Sequence, residues 1–131
     1  MGLQVVVGVA LLDDDGRLLV ARRAEPPQLA GFWELPGGKV DPGETDQAAL
    51  VRECREELGV TVELSDRVGA DLPIGAHGVL RIWSGRVAAG ELHAVEHAEL
   101  RWVQSAELEA LRWLPADRPL IPALRELLDG S

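Results

Sequence analysis

The chain has little cysteine, little lysine and no long apolar run. Cys54 is its only cysteine, so no disulfide can close within the chain and nothing calls for an oxidising compartment. The segment Met1-Gly2-Leu3-Gln4 lacks a basic n-region, and the apolar run from Val5 to Leu12 is far too short to span a bilayer. A cytoplasmic protein without a membrane partner is the expectation. Lys39 is the single lysine, and 13 basic residues face 22 acidic ones, for a formal net charge of −9. A surface of that sign repels a polyanion, which argues against a nucleic-acid polymer as partner. It leaves room for a small phosphorylated ligand whose phosphates meet protein carboxylates through divalent cations. Internal repeats and low-complexity tracts are also absent. The length, 131 residues, suits one compact domain over 1–131 with a core of its own.

What is present reads as strands flanked by helices. Leu3 to Leu12 is nearly all apolar and valine-rich, the pattern of a strand covered on both faces. Asp13-Asp14-Asp15-Gly16 reads as a turn into a second strand, Arg17 to Arg23, which predicts a hairpin. Pro26, Pro27 and Gly31 mark a loop, followed by a short extended piece at Trp33-Glu34-Leu35 and then Pro36-Gly37-Gly38. Thr45 is placed to cap a helix running to Leu58, with Gly59 just past its end. Further strands are expected at Val60–Leu72, His77–Val87 and Leu100–Val103. Ser105 is placed to cap a short helix to Arg112, and Leu120–Leu128 reads as a final helix. The order implies an α/β protein, an α/β/α sandwich around a mixed β-sheet.

The segment Gly38–Val60, GKVDPGETDQAALVRECREELGV, carries the chemistry. On a helix, Glu53, Glu56 and Glu57 fall at i, i+3 and i+4 and share one face, while Val51, Cys54 and Leu58 share another that can pack on a sheet. The acidic side chains are therefore expected to point away from the packed face. Three carboxylates on one face repel unless cations neutralise them, and hard oxygen ligands suit Mg²⁺ or Mn²⁺. An arbitrary glutamate-rich helix is most often a solvated acidic face. Here the spacing of Gly38, Glu44, Arg52, Glu53, Glu56, Glu57 and Gly59 resembles the Nudix box, with Cys54 standing where a bulkier apolar residue is usual. A chance match of this kind arises roughly once in 10⁹ positions.

The resemblance to the Nudix family extends over most of the chain and implies the Nudix α/β/α sandwich and hydrolysis of a nucleoside diphosphate linked to another moiety. It implies Glu53, Glu56 and Glu57 as metal ligands, joined by the Gly37 carbonyl, for Mg²⁺ with Mn²⁺ as a substitute. Arg52 matches the arginine that orients a carboxylate, and Glu44 the loop glutamate that supports the helix. A carboxylate such as Glu53 would take the proton of a metal-bound water. Glu96 or Glu99 is a candidate for an extra ligand or base from an opposite loop, against an equal case for plain surface carboxylates.

Within the family, LLVARRAEPPQLAGFWELPGGK and WLPADRPLIPAL look like the MutT branch, which converts nucleoside triphosphates to monophosphate and pyrophosphate. Arg23 matches a phosphate-contacting arginine of that branch, and Lys39, after two glycines, is placed to meet a phosphate. Asp117 matches the position where the branch sets a polar side chain against the base. An ionised aspartate only accepts hydrogen bonds, which suits the exocyclic amine of cytosine, although guanine and 8-oxoguanine also offer donors. The chain is most similar to MutT-like proteins that prefer CTP and dCTP. Two alternatives stand beside that reading: an 8-oxo-dGTP diphosphatase that sanitises the nucleotide pool, and a non-catalytic nucleotide-sensing module on the same scaffold. The blander role for Asp117 is a turn or cap before the last helix. Trp33, Trp83 and Trp113 are candidates to stack on a base, though core placement is the commoner fate of such residues. His77 has a smaller claim on the pocket. The substrate partner is a small nucleotide, bound by a monomer or homodimer.

Overall fold

The computed structural model describes residues 2–130. Seven strands and two α-helices follow one another as β1 (Gln4–Leu11), β2 (Leu18–Arg23), β3 (Trp33–Glu34), β4 (Gly37–Lys39), α1 (Asp46–Leu58), β5 (Thr61–Ile74), β6 (Gly78–Ala89), β7 (His97–Val103) and α2 (Ile121–Leu128). Two 3-10 segments, Ser105–Ala110 and Arg118–Leu120, precede α2. The strands form a four-stranded sheet in the order β4-β1-β6-β5 and a three-stranded sheet in the order β3-β2-β7. The first is mixed, because β1 and β6 run parallel while β4 and β5 are antiparallel to their neighbours. Helix α1 and the α2 region complete the Nudix α/β/α arrangement expected from the element order.

Strand alternation divides the core in two. Val7, Val9 and Leu11 of β1 pack with Ala49, Leu50, Cys54 and Leu58 of α1. Ala10 points the other way, into a cluster with Leu18 and Val20 of β2, Leu80 and Ile82 of β6, Trp113 and Leu124. Strand β1 is thus covered on both faces, which explains its uninterrupted apolar sequence.

The expected hairpin does not extend beyond its turn. Asp13 accepts the amides of Asp15 and Arg17 and pairs with the Arg17 guanidinium, and a single bridge joins Leu12 to Leu18. Beyond it, β1 and β2 enter different sheets, because each already has two other neighbours: β4 and β6 for β1, β3 and β7 for β2. Three further differences go beyond a residue or two at an element's end. Gly37–Lys39 forms a strand against β1 rather than a loop. β7 begins at His97, three residues ahead of Leu100. The segment after β7 is 3-10 rather than α-helical, and Gln104 rather than Ser105 caps it, its amide bonded to the Glu107 carboxylate at 3.0 Å.

Candidate active site

Helix α1 is set by its ends. The Thr45 hydroxyl accepts the Ala48 amide at 3.1 Å, and Gly59 takes the left-handed conformation, φ 73°, donating its amide to the Arg55 carbonyl. Arg52 projects from the middle of this helix into a carboxylate cluster. Its Nε and Nη2 donate to the two oxygens of Glu44 at 2.8 and 2.9 Å, and its Nη1 donates to Glu53 Oε1 at 2.8 Å. A fourth bond, from Nη2 to the Lys39 carbonyl at 3.1 Å, ties the helix to β4. The fork thus fixes both the Glu44 loop and the Glu53 rotamer. Paired with Arg52 and with the Asp41 amide, Glu44 is held down at a pKa of about 2.

Glu53 lies over the Gly38 backbone. A Cβ on Gly38 would sit 2.5–2.7 Å from the Glu53 carboxylate atoms, so a side chain there displaces the acid. Glu57 is far more buried than a solvated helix face would leave it. It is 7% exposed, and among the described residues its buried Oε2 has no hydrogen-bond partner. Burial, reinforced by the negative charges of Glu53, Glu34 and Glu96, pushes its carboxyl up to about 9. Glu56 faces solvent, with a 3.4 Å contact to Arg52. Among the described residues, no three Asp, Glu, His or Cys side chains converge closely enough to ligate one ion as they now point. The donor chemistry nevertheless fits a hard divalent cation. An unpartnered buried carboxylate oxygen among repelling acidic neighbours is relieved by positive charge, and the oxygens of Glu53, Glu57 and Glu56 lie within one turn of α1. Cys54, buried between these acids and the sheet, is no nucleophile: burial and the charges of Glu57 and Glu53 push its thiol up to about 12.

Glu57 forms part of the wall of a cleft of about 1030 Å³. Arg23, Glu34, Gly37, Gly38, Lys39, Glu96 and His97 also line it. The apolar lining includes Val6 and Gly8 of β1 and Leu80 and Ile82 of β6, paired across the ladder as Val6↔Leu80 and Gly8↔Ile82 so that they share a face. Asp117 completes the lining. It is 9% exposed and its side chain caps no helix; its Oδ2 instead accepts the Leu35 amide at 3.2 Å. The loop before β7 is fastened to the end of α1, the His93 amide donating to the Leu58 carbonyl and the Val95 amide to the Glu57 carbonyl. This brings Glu96 to the same cleft as Glu57.

The cleft therefore gathers Gly37, Lys39, Arg23, Glu57, Glu96 and Asp117 from the residues singled out in sequence, with Glu44, Arg52 and Glu53 directly behind it. Other candidates lie elsewhere. Glu99 is engaged by Arg22 and Arg101, and His77 is exposed on the β5–β6 turn. Trp33 and Trp113 are core residues, the Trp113 indole donating to the Leu108 carbonyl at 2.7 Å, and Trp83 packs with the α1 cluster. Two cleft residues carried no sequence signal, Glu34 and His97. The His97 Nε2 lies 2.8 Å from Glu34 Oε2, and Arg23 Nη1 donates to both Glu34 oxygens at 3.1 and 3.3 Å. Glu34 does sit in the short extended piece just before Pro36-Gly37-Gly38, which is the one hint available.

Comparison with known proteins agrees with this geometry. The family model described as the NUDIX domain matches residues 2–124. The chain is 47% identical to the "Putative 8-oxo-dGTP diphosphatase 2" of Mycobacterium tuberculosis, covering 98% of this chain and 92% of that protein. It is 35% identical to the CTP pyrophosphohydrolase of Escherichia coli, covering 94% and 93%. Among solved structures, the E. coli ORF135 protein superposes with a TM-score of 0.81 at 34% identity, over 100% of this chain and 94% of that one. The MutT NUDIX hydrolase of Burkholderia pseudomallei gives 0.73 at 33%, over 92% and 95%. No helix among the described residues is long and apolar enough to cross a membrane. With a matching domain over nearly its whole length and diphosphatase relatives at this identity, the chain belongs to the Nudix family, MutT type, and is a hydrolase of nucleotide phosphoanhydride bonds.

Proposed function

We propose that the protein is a Mg²⁺-dependent nucleoside triphosphate pyrophosphohydrolase that prefers CTP and dCTP and releases the monophosphate and pyrophosphate. The observation that carries the base preference is Asp117, a buried carboxylate in the cleft lining whose side chain is not spent on a helix cap. With Oδ2 taken by the Leu35 amide, Oδ1 remains to accept from a ligand. Burial pushes this carboxyl up to about 7; the Leu35 amide and Arg23 oppose that rise and Glu34 adds to it. Above that pH Asp117 only accepts, which matches the cytosine N4 amine and opposes the uracil carbonyl. Selectivity for CTP over UTP is expected to grow between pH 6 and pH 8.5.

At the phosphate end, Arg23 and Lys39 supply donors. Arg52 and Glu44 hold Glu53 in place to take a proton from the attacking water. Glu53, Glu56, Glu57 and the Gly37 carbonyl would hold the metal. Bound there, Mg²⁺ would neutralise phosphate oxygens and lower the pKa of a water.

One observation favours a second reading: the relative at 47% identity carries the name of an 8-oxo-dGTP diphosphatase, and that base also presents donors to Asp117. Pyrophosphate release over a panel of ordinary, oxidised and methylated nucleotides separates the two by kcat/KM. An unpaired buried acceptor costs roughly 1–3 kcal/mol, so CTP is expected to exceed UTP by at least about tenfold. Asp117→Ala should erase most of that margin. Asp117→Asn, which presents either a donor or an acceptor, should cost CTP little and improve UTP. Equal use of CTP and UTP by the unmutated enzyme would reduce Asp117 to a brace for the Leu35 amide.

A further inference from the structure

Glu34, Arg23 and His97 come from the three strands of the second sheet, β3, β2 and β7, which lie side by side in that order. A register shift after Arg22 leaves Ala98 unpaired and sets Arg23 opposite His97 across the ladder. Glu34 reaches over β2, so that its carboxylate is held on one side by Arg23 and on the other by His97. Side-chain exposure rises along this chain of contacts, from 6% at His97 through 16% at Glu34 to 31% at Arg23. All three line the cleft; the buried imidazole is the fixed point and the guanidinium the most exposed of them. Facing a carboxylate, Nε2 carries the hydrogen and donates. The other ring nitrogen, Nδ1, is buried with no partner among the described residues. An apolar side chain would fill the same space without stranding that atom, so packing alone does not account for histidine at this position. On the far side, Arg23 Nε donates to the Glu25 carbonyl at 3.1 Å and Nη1 to Glu34. Nη2 has no protein partner among the described residues, so it is free to meet an anion.

We propose that His97 is a positioning residue of the phosphate-binding end, fixing Glu34 and through it the Arg23 fork. The proposal rests on the reading of Arg23 as a phosphate contact. The glutamine and asparagine variants of His97 separate this role from bulk and polarity. The terminal amide nitrogen of glutamine reaches the place of Nε2, whereas asparagine reaches only that of Nδ1. Steady-state kinetics on CTP with saturating Mg²⁺, run beside thermal unfolding, is the test. For His97→Asn, KM is expected to rise about tenfold, the size of one lost charge-assisted hydrogen bond, with kcat changed far less. His97→Gln should keep a KM near that of the unmutated enzyme. In a Glu34→Ala background, His97→Asn should add nothing, because the two residues act in series. Equal KM values for His97→Gln and His97→Asn would overturn the proposal. So would additive effects of His97→Asn and Glu34→Ala while Arg23→Ala is impaired in KM. An Arg23→Ala variant with an unchanged KM would instead refute the phosphate role of Arg23 itself, and the relay with it.

Discussion

Replacing Glu57 by glutamine should make the metal-free protein more stable while disabling the enzyme. The folded state holds the Glu57 carboxyl up at about 9, far above its ordinary value of 4.5, by burial and by the charges of Glu53, Glu34 and Glu96. The sign follows from linkage. A group whose pKa is raised on folding contributes its full share below pH 4.5 and loses it as pH climbs toward 9, because the unfolded chain ionises there and the folded one does not. At pH 7.5 the unfolded chain has gained about 4 kcal/mol that the folded chain forgoes, at about 1.4 kcal/mol per pH unit. Counting half of this, because a site of effective dielectric about 20 screens its own charges, leaves about 2 kcal/mol. In a domain of this size that is worth roughly 6–10 °C in Tm. Glutamine, which does not titrate, escapes the penalty. Thermal unfolding in EDTA should therefore show Glu57→Gln well above wild type at pH 7.5–8.5, with the two converging at pH 5. Adding Mg²⁺ should raise the wild-type Tm more than that of the variant, and kcat of the variant should fall by at least about 10²-fold. A Tm difference that is absent, or independent of pH, would refute the account of Glu57 as a strained carboxylate awaiting positive charge.

Three further outcomes follow from the same site. Glu53→Gln should lower kcat by at least about 10²-fold with Tm little changed, and excess EDTA should abolish turnover by the wild type; full activity in EDTA would contradict the metal site. Gly38→Ala should lower kcat by about tenfold or more without touching an acid, since the new methyl occupies the space of the Glu53 carboxylate; a KM-only effect would place Glu53 elsewhere.

The parts legible in the sequence are those determined within a few residues. The Thr45 and Gly59 caps bound α1 where the pattern places them, and Arg52 reaches Glu44 and Glu53 from a spacing visible in the chain. What escaped depends on partners far away. Helical periodicity sets Glu57 on the face away from the sheet but does not show its burial, because it reports an isolated helix; the loop before β7 and the Gly37–Gly38 strand close over that face. The Asp13–Gly16 turn was readable, yet the separation of β1 and β2 into two sheets is decided by β4, β6, β3 and β7. Glu34 and His97 lie 63 positions apart, and neither sits in a periodic pattern, so only the bulge that aligns Arg23 with His97 brings the pair into view.

The parallel pairing of β1 with β6 governs the order in which the molecule can assemble. Strand β1 has only Val6, Val7 and Gly8 paired early, by the short β4, but the long neighbour that pairs its whole length arrives only about seventy residues later in the chain. On the ribosome, the valine-rich β1 therefore emerges and waits, apolar on both faces, while α1 and β5 are being made. Helix α1 can form meanwhile from its own caps, and β5 can pair with β6 as soon as their turn is complete, so insertion of β1 between β4 and β6 is expected as a late closing step. During that wait the most exposed aggregation hazard is the strand that ends up most buried, and the run from Val5 to Leu11 is where a chaperone would find its grip.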